Sequence, residues 1–584
     1  MAEAAHGNAP SLPYHEPGIV VILILTSFLL LLNVVNAALD KILYCGLLGQ
    51  VFIGIAWGTP GAKWLSPNTE ETIVQLGYLG LILLVYEGGL HTSFQALKAN
   101  LLLSAGVALT GIAVPIGLSY TLQGLLNVTP IQAFAAGAAL CSTSLGTTFT
   151  VLGSSGLSTS RLGVVLTSAA MMDDVVGLVM VQVISNLGGD NFSWVTVVRP
   201  VLVSVAFAIV APLVCLLVIR PVTLRLNKSR DAHPTTKFNS VLQKPTTALV
   251  IHSLLLIALI TGATYVGTSN LFAAYIAGAG VSWWDSEVPH PTIKQTSSNA
   301  APLEKADTRP APSGPLNEPR SNGSDEICQS AGGPAQTGNT EQSISSPVSE
   351  DTRGSAIYTR YYHPAVSSIL QPLFFASVGF SIPITRMFAG AIVWRGIVYT
   401  VLMAFAKFVC GLWLVRFSSR PRPIKDITSQ LSKRLRLPSI PHLWGKSERT
   451  GTSSEVSTSE QPPASTFAAA DELPETSNRR KSSKPTKPVS LHPPMILALA
   501  MCARGEIGFL ISGVAESNGV FSSGQATDQP TDIFLVVTWA IVLCTIVGPL
   551  GVGLSVRRVK TLQERKDKLQ EGTGRDVLGV WGVS

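Results

Sequence analysis

Two aspartates stand side by side, Asp173 and Asp174, inside the apolar run Ala169-Ala170-Met171-Met172-Asp173-Asp174-Val175-Val176-Gly177. One ionisable group at the centre of such a run costs at least about 3 kcal/mol in lipid. Successive helical residues point about 100° apart, so one carboxylate can face a cavity while the other faces a neighbouring helix. Two acids this close cannot both stay charged cheaply, and the pair can hold a proton that a metal cation replaces. Satisfied structural carboxylates are the alternative reading of the same residues.

Other chemistry-bearing residues sit at comparable depth. The preceding apolar run contains Cys141-Ser142-Thr143-Ser144-Leu145-Gly146-Thr147-Thr148. Hydroxyls and glycine there suit an unwound stretch whose oxygens, those of Thr143 and Ser144 among them, can coordinate a hard cation. Close packing of small residues would use the same composition. Farther on, Ala503-Arg504-Gly505-Glu506 places two opposite charges in the middle of another apolar run. Arg504 and Glu506 can neutralise the ends of two half-helices or touch an ion path. Lys407 lies inside an apolar run about 8 Å from its midpoint. There it can pair with Asp173 or snorkel to the interface. Glu87, near the end of its run, is either a functional acid or an interfacial one.

These residues need a scaffold, and composition says which kind. The 584-residue chain is 47% hydrophobic and only 13% charged, against roughly a quarter charged in soluble domains. The charge is segregated, as in a chain whose main solvent is lipid. At roughly 20 apolar residues per bilayer crossing we count about 13 spans. They cover 18–39, 42–58, 72–90, 100–122, 131–153, 162–185, 194–219, 246–268, 270–284, 364–384, 388–415, 492–515 and 531–554. The fold class is therefore an all-α polytopic membrane protein. An offset of seven spans relates two six-helix sets running in opposite directions, so inverted repeats are expected.

With the N-terminus outside or lumenal, the basic clusters at 220–244, 416–449 and 557–568 all fall on the cytoplasmic side, as the positive-inside rule requires. The expected organisation is an outer segment 1–17, a first membrane half 18–285 and an insertion 286–359. Helices ten and eleven follow at 360–417, then a basic insertion 418–491, helices twelve and thirteen at 492–555 and a cytoplasmic tail 556–584. Both insertions are rich in Ser, Thr, Pro and Gly, and disorder is expected there. The sequon Asn191-Phe192-Ser193 falls in an expected outer loop. The first apolar run reads as a retained helix rather than a cleaved leader.

The net charge of +7 lies beside apolar spans and suits anionic lipid rather than nucleic acid. None of the seven cysteines forms a C-x-x-C pair, so neither a metal nor a disulfide framework is expected, and no cofactor. No loop carries a nucleophile–base pair or metal-ligand cluster, which disfavours an enzyme.

Taken together, Asp173-Asp174, the 142–148 and 503–508 runs, Lys407 and the segment 361–380 resemble the monovalent cation:proton antiporters. The resemblance is to the branch of bacterial sodium/proton and Kef-type potassium/proton systems, and it covers all the spans. It implies two broken helices that cross, an ion-binding aspartate pair transporting Na⁺ or K⁺ against H⁺, a lysine used by electrogenic members, and a homodimer whose core domain moves like an elevator. The run Val85-Tyr86-Glu87-Gly88-Gly89-Leu90-His91 resembles the eukaryotic exchanger branch, and the long linkers imply a eukaryotic, fungal member. The residues after 554 show no strand–glycine-loop–helix pattern, so a nucleotide-binding domain of the Kef kind is not expected there. A passive cation channel and a membrane sensor with the same fold are the competing readings.

Overall fold

The computed structural model describes residues 14, 16–43, 45–92, 94–144, 160–188, 194–232, 241–242, 244–288, 352–415, 491–522, 529–569, 578 and 581. Their regular structure is entirely helical. The first half holds α1 (Ile19–Leu43), α2 (Gly46–Trp57), α3 (Pro67–Leu90), α4 (Phe94–Ser119), α5 (Leu122–Leu126), α6 (Pro130–Ala139) and α7 (Arg161–Leu187). It continues with α8 (Trp194–Val214), which runs through a π turn at Cys215–Ile219 into α9 (Arg220–Ala232), then α10 (Pro245–Val266) and α11 (Asn270–Glu287). After residue 352, short α and π turns over 354–370 lead into α12 (Gln371–Phe380), followed by α13 (Gly390–Gly411), α14 (His492–Cys502), α15 (Glu506–Ser517) and α16 (Asp532–Leu569).

Among the described residues, nine helical stretches are long and apolar enough to cross a bilayer. Each of the 13 expected segments contains helix, but four fall outside those nine. They are the 12-residue α2, the short α6, the 18-residue α11 and the interrupted run ending in α12. The chain is an integral multi-pass membrane protein. Its outward faces agree: Leu23 and Leu30 on α1 and Leu202 and Ile209 on α8 are all more than half exposed. In water such faces would be a liability, whereas lipid covers them at no loss.

Several boundaries extend past the expected ones. α16 continues to Leu569, where the span was expected to stop at 554, and α8 continues through α9 to Ala232. Both continuations combine several Arg and Lys with Leu, helix formers that leave the membrane without leaving the helix. The insertion expected to end at 359 already gives way to helix at Gly354. The tail is also partly anchored. Leu578 and Trp581 are buried in a cluster with Leu103, Leu162 and Val556, and the Arg161 guanidinium lies 5.1 Å from the Trp581 ring centroid. The sequon and nearly all of both insertions lie outside the described residues.

Packing falls into two groups: α4, α6, α7, α13, α14, α15 and α16 in one, and α1, α2, α3, α10, α11 and α12 in the other. Small residues let backbones touch, because lipid offers no hydrophobic drive between helices. One such close approach is α3 on α11. A Cβ on Gly89 would run into the Tyr275 carbonyl and come 2.8 Å from the Ala279 nitrogen, whereas one on Gly88 would meet nothing within 4 Å. Gly89→Ala is therefore expected to lose about 1–3 kcal/mol through forced backbone separation. Gly88→Ala should be neutral or gain up to about 1 kcal/mol of helix propensity. Thermal unfolding of the two purified variants checks the opposite signs.

Candidate functional site

Two helices stop short in the middle of the first group, and their ends face each other. α6 ends at Ala139, and residues 140–144 are irregular. α14 ends at Cys502, residues 503–505 are non-helical, and α15 begins at Glu506. The breaks are stitched together. The Ser144 backbone N–H donates to the Ala503 carbonyl at 3.1 Å, and Arg504 Nη1 donates to the Ser142 carbonyl at 2.6 Å. Carbonyls freed by unwinding must find donors when no water is at hand. Arg504, fully buried, supplies one beside the carbonyl end of α6 and thereby also offsets that end's partial negative charge. Glu506 stands in the first turn of α15, at the positive end of that helix, and accepts from Ser144 Oγ at 3.4 Å. Thr545 Oγ1 on α16 donates to the Arg504 carbonyl at 2.7 Å.

α7 passes these breaks with the aspartates on it. Gly177, one turn past Asp173, makes the approach possible, since a Cβ there would lie 2.9 Å from Ser142 Cβ and 3.0 Å from Ile507 Cγ2. Lys407 reaches in from α13. Its ammonium donates to Asp173 Oδ2 at 2.8 Å, to the Cys141 carbonyl at 2.6 Å and to Thr143 Oγ1 at 3.2 Å. Three N–H groups thus meet three acceptors. Thr143 in turn donates to Asp173 Oδ2 at 2.6 Å. Room for the ammonium comes from α4, where a Cβ on Gly111 would sit 3.0 Å from Lys407 Nζ. Both charged side chains are wholly buried.

Two carboxylate oxygens of the arrangement are left over. Asp173 Oδ1 and Asp174 Oδ1 are buried and accept no hydrogen bond. Asp174 lies within electrostatic reach of Glu506, Asp173 and Lys407. Unpaired carboxylate oxygens flanked by hydroxyl and main-chain oxygens are hard ligands, of the kind that hold alkali or hard divalent cations.

Of the residues singled out from sequence, Asp173, Asp174, Thr143, Ser144, Lys407, Arg504 and Glu506 meet here. Glu87 does not belong to this cluster. It sits near the end of α3, 3.9 Å from His91 Nε2 and beside Tyr358. Sequence reasoning missed the Cys141 carbonyl and Thr545. A main-chain oxygen has no sequence signature, and a single threonine in an apolar span reads as packing.

Parts of the chain are similar to known proteins. The family model described as sodium/hydrogen exchanger, transmembrane matches residues 21–301, which carry α1 to α11 and both aspartates. The chain is 30% identical over 152 residues to the Na⁺/H⁺-K⁺ antiporter GerN of Bacillus cereus, covering 26% of this chain and 39% of that protein. It is 32% identical over 140 residues to the high-affinity Na⁺/H⁺ antiporter NhaS3 of Synechocystis, covering 24% of this chain and 30% of that protein. The matches thus span well under half the length of these relatives. The solved structure of the sodium proton antiporter MjNhaP1 from Methanocaldococcus jannaschii superposes with a TM-score of 0.49 at 11% identity, covering 92% of this chain and 99% of that one. A likeness of that size carries no argument here. Residues 21–301, which carry the aspartate pair, are thus similar to the sodium/hydrogen exchanger family, and parts of the chain are similar to bacterial Na⁺/H⁺ antiporters.

Proposed function

We propose that this protein exchanges Na⁺ for H⁺ across a membrane, with Asp173 and Asp174 as the shared binding site for both. K⁺ is the second candidate cargo. The observation that carries the reading is the half-used aspartate pair. Asp173 gives one oxygen to Lys407 and Thr143, while its other oxygen and Asp174 Oδ1 accept nothing.

In the proposed cycle a cation approaches the free oxygens and competes with the Lys407 ammonium for Asp173. A buried centre tolerates little net charge, so each cation that enters requires protons to leave, from Asp174 or from the displaced lysine. Thr143 and Ser144 supply neutral oxygens, while Arg504 and Glu506 keep the two breaks charge-balanced as the site changes its load. Alternating access then needs the group containing α4, α6, α7 and α13 to α16 to shift against the other group. The proposed setting is a homodimer with the N-terminus outside or lumenal and the tail cytoplasmic.

Full-length protein in liposomes tests the reading. Na⁺ added outside is expected to alkalinise the lumen, reported by an entrapped pH dye, and no response to Na⁺, K⁺ or Li⁺ would refute exchange. Asp174→Asn keeps the shape but cannot ionise, so it is expected to abolish the response while inserting normally. Undiminished exchange by that variant would remove Asp174 from the site.

Lys407 provides the second test. Removing one partner of a buried pair strands the other, at about 3–5 kcal/mol. Asp173→Asn and Lys407→Gln should each destabilise by that order, and the double variant less than either. A thermal double-mutant cycle with additive losses would reject the pairing. If two protons move per cation, a K⁺/valinomycin potential should change the rate of the unmutated protein, and voltage-independent exchange would reject that stoichiometry.

A further inference from the structure

Beside the aspartate site lies a crevice of about 1430 Å³, walled by α7, α8 with its π turn and α9, α10 and α11. Each wall contributes one helical face: Ala248, Ile251, His252, Leu255 and Leu259 from α10, and Phe272, Ile276 and Trp283 from α11. The outer wall, 34 residues from Val197 to Arg230, would be about 51 Å long, well beyond the roughly 30 Å of a hydrocarbon core. Its far end therefore stands in the headgroup zone.

Polarity is graded along the crevice. Phe207, Leu259, Phe272 and Ile276 make one end largely apolar. At the other, α9 turns Thr223, Asn227 and Arg230 inward at helical spacing, with Trp284 Nε1 donating to Thr223 Oγ1 at 3.2 Å. α9 carries Arg220, Arg225 and Lys228 as well. Between the two ends sits His252, 6% exposed, with a buried Nδ1 that has no hydrogen-bond partner. An unsatisfied imidazole nitrogen in an apolar wall is costly unless something polar meets it.

We propose that this crevice is a binding site for an anionic phospholipid. The headgroup meets Arg230 and its basic neighbours, an ester group meets His252, and one acyl chain runs along the apolar walls. Charge complementarity selects the anionic class, because basic residues at a membrane edge attract such lipids. The chain would lie on Met171, Met172, Val175 and Val176, on both sides of the aspartates along α7. Occupancy thus presses on the helix that carries the exchange site. The proposal needs the helices to cross a bilayer but does not depend on the exchange chemistry.

The test uses the full-length protein in detergent and a phosphatidylglycerol with a photoreactive diazirine on one acyl chain. Illumination followed by peptide mass mapping is expected to label Met172, Leu259 or Ile276. Labelling confined to the outer faces of α1 and α4 would overturn the proposal. In thermal-shift titrations phosphatidylglycerol should stabilise the wild type more than phosphatidylcholine with the same chains, and equal effects would refute the anionic preference. Arg230→Gln should weaken the phosphatidylglycerol response about fivefold, the equivalent of one basic residue at an anionic surface. Ala211→Trp, which fills the crevice, should remove the diazirine label, and full labelling of that variant would place the lipid elsewhere. All of these readouts are binding measurements, so a loss of exchange with labelling intact would count against the antiport reading alone.

Discussion

A charge in the middle of a membrane must have a partner, and Lys407 and Asp173 meet that demand for each other. Lys407 and Asp173 are both wholly buried and 2.8 Å apart, and breaking such a pair leaves an uncompensated charge where water cannot relieve it. The ammonium needs three acceptors, of which only one is a carboxylate oxygen. The others are a hydroxyl and a main-chain carbonyl, and that carbonyl is free because α6 has already ended. The break in the helix is thus a condition for burying the lysine.

The same logic organises the surroundings. Unwinding two helices at mid-depth exposes carbonyl and N–H groups that would each cost several kcal/mol in lipid. The two breaks satisfy one another and borrow Arg504 and Thr545 for what is left over. Glycine permits the geometry: Gly177 lets α7 approach both breaks, and Gly111 leaves space for the ammonium. The outcome is a hydrogen-bonded centre in which two carboxylate oxygens, and two nitrogens of Arg504, are left without partners.

Much of this was legible in the sequence, because a charge inside an apolar run is conspicuous and must be answered by another. Asp173, Lys407, Arg504 and Glu506 announced themselves in this way, and the Lys407–Asp173 pairing follows from the demand for a partner. The hydroxyl run at 142–148 signalled unwinding, although only its first three residues are described. The same reasoning left Glu87 open, since a charge near a span's end has an interface to turn to. Helix ends were poorly legible at Leu569 and Ala232, where polar but helix-favouring residues extend an apolar helix past the membrane. The contribution of Cys141 was hidden altogether because its carbonyl, not its side chain, does the work.

The central claim is that cation and proton compete for one buried aspartate pair, and proton release on cation binding measures it most directly. Purified protein in weakly buffered detergent solution would receive Na⁺ while a pH electrode follows the bulk. The account predicts that protons appear as Na⁺ binds, that the apparent Na⁺ affinity falls as the pH is lowered, and that Asp174→Asn releases none. Na⁺ binding without proton release, at an affinity indifferent to pH, would contradict it.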